Sequence, residues 1–199
     1  MTSSKPLDRR IQRTRKLLLD SLIELVLEKG YEAVAVQDII DRANVGRSTF
    51  YAHFENKEQL LFSGHGWLTE SLFGNRNEPS ADLTLGINLG ILFQHAADNH
   101  RLAKAMLGKK GGELIINHLH ELVYTSINQT LQANQSNQDT SAKRLVSQAI
   151  ASMLVGLLRS WLEADLPLSP GKASTLARAL LLGSLAELPT VLAPPSVPY

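Results

Sequence analysis

Cysteine is absent from this chain of 199 residues, which excludes disulfide bridges, Cys-ligated zinc and thiol chemistry and is compatible with a reducing compartment. Aromatic residues are scarce, at 6%, so the core has to be built mainly from aliphatic side chains. No run of about 18 uncharged, strongly apolar residues stands out. The nearest, Leu83 to Ala97, is short and contains Asn88, Gln94 and His95. A membrane span is not expected. The charged N-terminus lacks an apolar stretch before Asp20 and Glu24, which argues against a secretory signal and for a cytoplasmic location. Catalytic patterns are missing too: there is no Gly-rich phosphate loop, nucleophile elbow, H-E-x-x-H or isolated carboxylate pair. Neither an enzyme nor a cofactor is expected.

What the chain does have is 44% hydrophobic residues and a net charge of only +1, the profile of a globular protein long enough to bury a substantial core. Near-neutrality taken alone speaks against a nucleic-acid partner. The distribution of charge reverses that inference. Residues 1 to 19 hold Lys5, Arg9, Arg10, Arg13, Arg15 and Lys16 against Asp8 alone, a local excess of +5, while acids such as Asp20, Glu24, Glu28, Asp38 and Asp41 offset it further along.

Helical periodicity begins after Arg15: Leu19, Leu22, Ile23 and Val26 recur at i, i+3, i+4 and i+7, and Lys29 followed by Gly30 is a C-terminal stop. A second stripe, Val36, Ile39, Ile40 and Ala43, ends at Asn44, the non-glycine residue best suited to a left-handed position. The third segment, Arg47 to Phe54, sets Phe50 and Phe54 on one face and leaves Arg47, Ser48 and Tyr51 on the other. Asn56 and Gln59 have capping-box spacing at the start of a fourth helix.

Beyond Leu61 longer helices follow. Residues 74–81 read as a connector, a helix is expected from Asp82 to about Asp98, and Gly111 with Gly112 breaks the next pair. Residues 133–141 read as a polar loop, a long helix spans about 142–164, and Ser169 with Pro170 opens the last helix, to about Leu188. No period-2 strand is evident. The fold expected is all-α, with about nine helices: a helix-turn-helix domain over 9–61, a second helical domain over 62–189, and a loose tail over 190–199.

A helix, a tight turn and a second helix are the geometry that places one helix in a DNA major groove. The outer face of the second helix offers Arg47, Ser48, Thr49, Tyr51 and His53, and no acid. Arg47 and Thr49 suit base edges, an arginine reading guanine and a threonine methyl meeting thymine. Ser48, Tyr51 and His53 suit phosphates, as does Lys57 at the next helix start. Gln37 on the preceding helix and Arg15 in the basic segment complete the candidate DNA-binding set. An ordinary αα-hairpin shares the periodicity but has no need of an acid-free face beside a basic segment.

The run GYEAVAVQDIIDRANVGRSTFYAHFENKEQLL, above all T-F-Y-x-H-F followed by N-K-E-x-L, resembles the DNA-binding domain of the TetR/AcrR family of bacterial transcriptional regulators. The resemblance covers about Gln12 to Leu61. It implies a homodimer that binds a palindromic double-stranded DNA operator and is released by a small molecule held in the C-terminal domain, most often as a repressor. The alternative it allows is a co-activator or interaction module of the same fold that no longer binds DNA. Two positions depart from the family pattern: Ala35 stands where Thr or Ser usually caps the second helix, and Gly46 where Ser commonly opens the recognition helix. A lost cap costs about 1 kcal/mol unless another group replaces it.

Candidate effector-pocket residues are His65, Trp67, Phe93, Met106, Tyr124 and Met153, with Phe73 as a further wall and His95 or Asn128 as further polar handles. Gly156, Ala173, Ala177, Gly183 and Ser184, with Leu157, Leu176, Leu180 and Leu181, suit close helix packing, either between subunits as the resemblance implies or within one. His118 and His120, at i and i+2, diverge on a helix and make a poor metal site, so none is expected.

Overall fold

The computed structural model describes residues 6–63, 66–73, 83–108, 112–133 and 140–186. The expected connector 74–81, Gly111, most of the 133–141 loop, Leu188, the 190–199 tail and His65 lie outside them, as does the side chain of Trp67.

Helix α1 (Pro6–Lys29) begins well before its apolar stripe. Proline suits a first helical position because its missing N–H is one that the helix could not use. The basic segment is therefore not an extended arm over this range: Arg9, Arg10, Arg13, Arg15 and Lys16 project, exposed, from helical turns. The buried face is also turned by about one residue from the expected one, with Leu18, Leu22, Leu25 and Val26 at 5% exposure or less and Leu19 and Ile23 half-buried. Gly30, at φ 81°, ends the helix in the left-handed region.

Helix α2 (Val36–Ala43) buries Ile39, Ile40 and Ala43. Ala35 has no side chain to cap it, yet half of a capping box survives, because the Ala35 N–H donates to Asp38 Oδ2 at 2.7 Å. Lys29 Nζ meets the same oxygen at 2.7 Å. Asn44, at φ 49°, forms the left-handed C-cap. Helix α3 (Arg47–Tyr51) is shorter than the expected 47–54, but Phe50 and Phe54 still point inward together, at 0% and 2% exposure with ring centroids 6.1 Å apart. In α4 (Lys57–Ser63) the Asn56 side chain accepts the Gln59 N–H at 2.8 Å, while the Gln59 side chain reaches back one residue further than expected, to the Glu55 N–H at 2.6 Å.

Helix α5 (Gly66–Phe73) is followed by a feature that the sequence concealed. Strands β1 (Leu83–Thr84) and β2 (Ile87–Asn88) pair antiparallel, Leu83 with Asn88 and Thr84 with Ile87. The turn between them has Leu85 at φ 52° and Gly86 at φ 79°, both positive as a two-residue hairpin turn of this hand requires. A Cβ on Gly86 would lie 2.6 Å from Ser126 Oγ, which instead donates to the Gly86 carbonyl at 3.0 Å. The helix expected from Asp82 thus starts only at α6 (Leu89–Asp98), where Asn88 Oδ1 accepts the Ile91 N–H at 3.0 Å. Then come α7 (His100–Leu107), α8 (Glu113–Ala133), α9 (Thr140–Glu163) and α10 (Pro170–Ala186), making ten helices among the described residues against about nine expected.

By length and composition α9, not 83–97, is the helix among the described residues that could cross a bilayer. Its apolarity serves the interior instead, since Ile150, Ala151, Leu154, Val155, Leu158, Trp161 and Leu162 are buried. Two cores result. One gathers Leu18, Leu22, Tyr31, Ile39, Phe50, Phe54 and Leu60. The other gathers α6, α8, α9 and α10 around Phe93, Ile127, Leu154 and Trp161. Helix α7 lies between them: Met106 belongs to the first core, and Leu107 packs against both.

Candidate nucleic-acid interface

The α2–turn–α3 unit is locked from behind. Arg42 reaches from α2 to two acids of α1, Glu28 at 2.7 Å and Glu24 at 3.1 Å. Hydrogen bonding to Arg42 holds the Glu28 carboxyl below its ordinary range, and Lys29 followed by the Ala35 N–H does the same for Asp38. These acids are thereby paired with cations between α1 and α2, and α3 itself carries no acid.

On that face Arg47, Ser48 and Tyr51 are exposed and Thr49 is half-buried. The Arg47 guanidinium lies 5.9 Å from the Tyr51 ring centroid, at the outer reach of a cation–π contact. Arg15 sits over Phe54, 5.0 Å from its centroid, which joins the basic turns of α1 to the end of the recognition segment. His53 is half-buried in the turn after α3, its ring 6.3 Å from Phe54. Gln37 is exposed on α2, its amide donating to Asp41 Oδ1 at 2.7 Å.

Lys57 is placed otherwise than expected. Its Nζ donates to the carbonyls of Tyr31 at 3.0 Å and Val34 at 2.9 Å and lies 4.3 Å from the Tyr31 ring centroid. The Tyr31 hydroxyl in turn donates to Glu58 Oε1 at 2.9 Å, and burial, followed by that carboxylate, pushes the phenol well above its usual range. Lys57 therefore ties the start of α4 to the loop that leads into α2.

A cavity of about 170 Å³ opens where α4 meets the second core. Its walls include Leu61 and Phe62 of α4, His95 of α6, Met106 of α7, and His118 and Leu122 of α8. Of the expected pocket residues with described side chains, Met106 and His95 line it. Phe93 is fully buried edge-on to Trp161, with centroids 5.2 Å apart, and Tyr124 and Met153 pack on the same core. Phe62 and His118, which the sequence reading left out of the pocket, stack with centroids 3.9 Å apart. The run Ile115, His118, Leu119, Leu122, at helical spacing, was the available signal. His120 points elsewhere, its Nε2 lying 3.0 Å from Ser152 Oγ. A wider groove of about 760 Å³ lies between α6 and α10 and is lined by charged and polar side chains, Asp98, Arg178, Gln94 and Ser174 among them.

The small residues of the last two helices divide. Ala173, Ala177 and Leu181 are buried in their own core. Gly156 and Gly183 have nothing within 4 Å of a Cβ position, and Leu176, Leu180 and Leu182 are more than 40% exposed.

An all-α chain with a helix-turn-helix at one end and a helical domain beside it has the architecture of a DNA-binding regulator. Residues 18–63 match the model of bacterial regulatory proteins of the tetR family, and residues 88–183 match that of a transcriptional regulator C-terminal region of the TetR type. The chain belongs to the TetR family. It is similar to the dhaKLM operon transcriptional activator DhaS of Lactococcus lactis, 30% identical over 69 residues, or 35% of each protein. It is also similar to the transcriptional repressor KstR of Mycobacterium tuberculosis, 40% identical over 52 residues, or 26% of this chain and 24% of KstR. Its matches to curated relatives span about a third of their length or less. Among solved structures, a TetR transcriptional regulator from Streptococcus agalactiae superposes with a TM-score of 0.65 at 25% identity, covering 87% of this chain and 96% of that one.

Proposed function

We propose that the chain is a ligand-responsive repressor that binds a palindromic operator as a homodimer and is released by a small molecule in its C-terminal domain. The observation that carries this reading is the exposed α3 face of Arg47, Ser48 and Tyr51, on a helix that carries no acid. The exposed arginines of α1 extend the positive surface towards phosphates. The exposed leucines of α10, with Gly183 and Gly156 allowing close approach, supply an apolar face suited to a second copy. Two recognition helices would then sit about 34–36 Å apart, one turn of B-DNA. An effector that prefers the mismatched spacing by about 1–3 kcal/mol gives a useful response. The cavity suits that role because α4, part of its wall, is bonded through Lys57 and Tyr31 to the loop before α2.

The test is fluorescence anisotropy on duplexes selected from a random library by the purified protein. Arg47→Ala and Tyr51→Ala should lose affinity while circular dichroism and dimer mass stay unchanged. Wild-type affinity in both variants would defeat the reading. Expression from a reporter carrying the selected site should rise when the regulator is removed; a fall would make it an activator.

A further inference from the structure

Resting on that reading, we infer that the effector is a small neutral molecule, about one substituted six-membered ring in size, with a single polar group directed at His95 and Asn99. Three observations support this. The cavity holds about 170 Å³, close to the roughly 150 Å³ that accommodates benzene in an apolar interior. A long acyl chain exceeds that space. Among the described residues that line it, none is Asp, Glu, Lys or Arg. An ionised ligand would give up its hydration and find no counter-charge. Partial burial lowers the basicity of the His118 imidazole at the α4 end.

Polarity is confined to a few points. The His95 and Asn99 side chains adjoin each other, Asn99 Nδ2 lying 3.4 Å from His95 Nδ1 and donating to the His95 backbone carbonyl at 3.0 Å. At the other end the Phe62–His118 ring pair offers a flat aromatic wall; between the two ends the lining is Leu, Ile, Met and Ala. A planar ring stacked at the α4 end with a hydroxyl or carbonyl at the α6 end satisfies both. The wider α6–α10 groove, with Asp98 and Arg178 on its walls, is where a charged molecule would go instead.

Isothermal titration of the full chain with 4-methylphenol, 4-methylbenzoate and dodecanoate at neutral pH tests the assignment. Saturable binding of 4-methylphenol, at least tenfold weaker binding of the carboxylate of matching shape, and weak binding of dodecanoate are expected. Ala103→Leu, which extends a side chain into the cavity, should abolish 4-methylphenol binding. Leu119→Phe provides a second filling variant if the first fails to fold. Equal or tighter binding of either carboxylate, no saturable binding of 4-methylphenol, or binding unchanged in both filled variants would overturn the inference. Anisotropy on the same preparations separates the two readings: loss of DNA binding by the unliganded protein would strike the regulator reading, whereas the calorimetry alone decides the ligand class.

Discussion

Replacing Lys57 by methionine keeps most of the side-chain stem and removes only the ammonium, so it separates two roles that the same residue type can serve. In the structure Nζ donates to two backbone carbonyls, Tyr31 and Val34, and sits above the Tyr31 ring. A hydrogen bond to a charged group is worth about 1.5–3 kcal/mol and a cation–π contact about 0.5–1 kcal/mol, and contacts made by one atom do not add in full. The expected loss is about 2–4 kcal/mol. If the chain unfolds as one unit of its size, the melting temperature should fall by roughly 4–16 °C. Hydrogen exchange should quicken in the 31–35 loop and at the start of α2. Salt dependence supplies the control. A phosphate contact contributes about 0.9 to the slope of log K against log salt, whereas an internal tether contributes nothing. An unchanged melting temperature together with a slope reduced by about one would refute the tether and return Lys57 to the DNA surface.

Other outcomes follow from the same geometry. Tyr31→Phe removes the donor to Glu58 at a position 1% exposed and should cost about 1.5–3 kcal/mol in urea unfolding; an unaltered midpoint would show that Glu58 gains nothing from the bond. The Glu28, Asp38 and Asp165 carboxyls are all depressed in the fold, by Arg42, Lys29 and Lys104 respectively. Their contribution is complete above the ordinary carboxylate range and is lost as pH falls through and below it. Thermal melts should therefore drop on acidification, and Glu28→Gln with Asp38→Asn should flatten that profile. Leu180→Glu places a charge on an exposed leucine of α10 and should convert the proposed dimer to a folded monomer by light scattering. An unchanged mass would move the subunit interface off this face.

The helix-turn-helix was legible because every signal agreed there: two apolar stripes, a left-handed Asn44 between them, and Phe50 and Phe54 at i and i+4. The start of α1 was not, since residues 9–17 bury no apolar side chain and are rich in arginines, which are good helix formers with nothing periodic to show. The hairpin escaped because two residues per strand are too few to display alternation, and its turn uses leucine where Asn or Asp is the usual mark. Lys57 read as a phosphate ligand because its actual partners are carbonyls 23 and 26 residues away. Backbone acceptors leave no trace in residue type. Ala35 shows the converse. The missing cap was visible, but the residue that replaces it, Asp38, looked like one more surface acid until its bond to the Ala35 N–H was seen.

The cavity was the least legible feature, since its walls come from α4 through α9 and no single stretch is long enough to announce it. That dispersal is also what gives the cavity a route to the DNA-binding end. Leu61, Met106 and Ile115 are at once cavity lining and members of the helix-turn-helix core, so an occupant that displaces them alters the packing behind α2 and α3. One turn back along α4, Lys57 and Glu58 hold Tyr31, and the turn before α8 closes on the same loop, because a Cβ on Gly112 would collide with Glu32 Oε1 and lie 3.1 Å from Tyr31 Cδ1. The loop leading into α2 is thus gripped from α4 and from the second domain together. Coupling between two ligands is reciprocal. If occupancy weakens operator binding tenfold through these contacts, operator binding must weaken occupancy tenfold. Tyr31→Phe, which loosens the grip without touching the cavity lining, should shrink this shared factor, measured in either direction, and a factor left unchanged would place the coupling elsewhere.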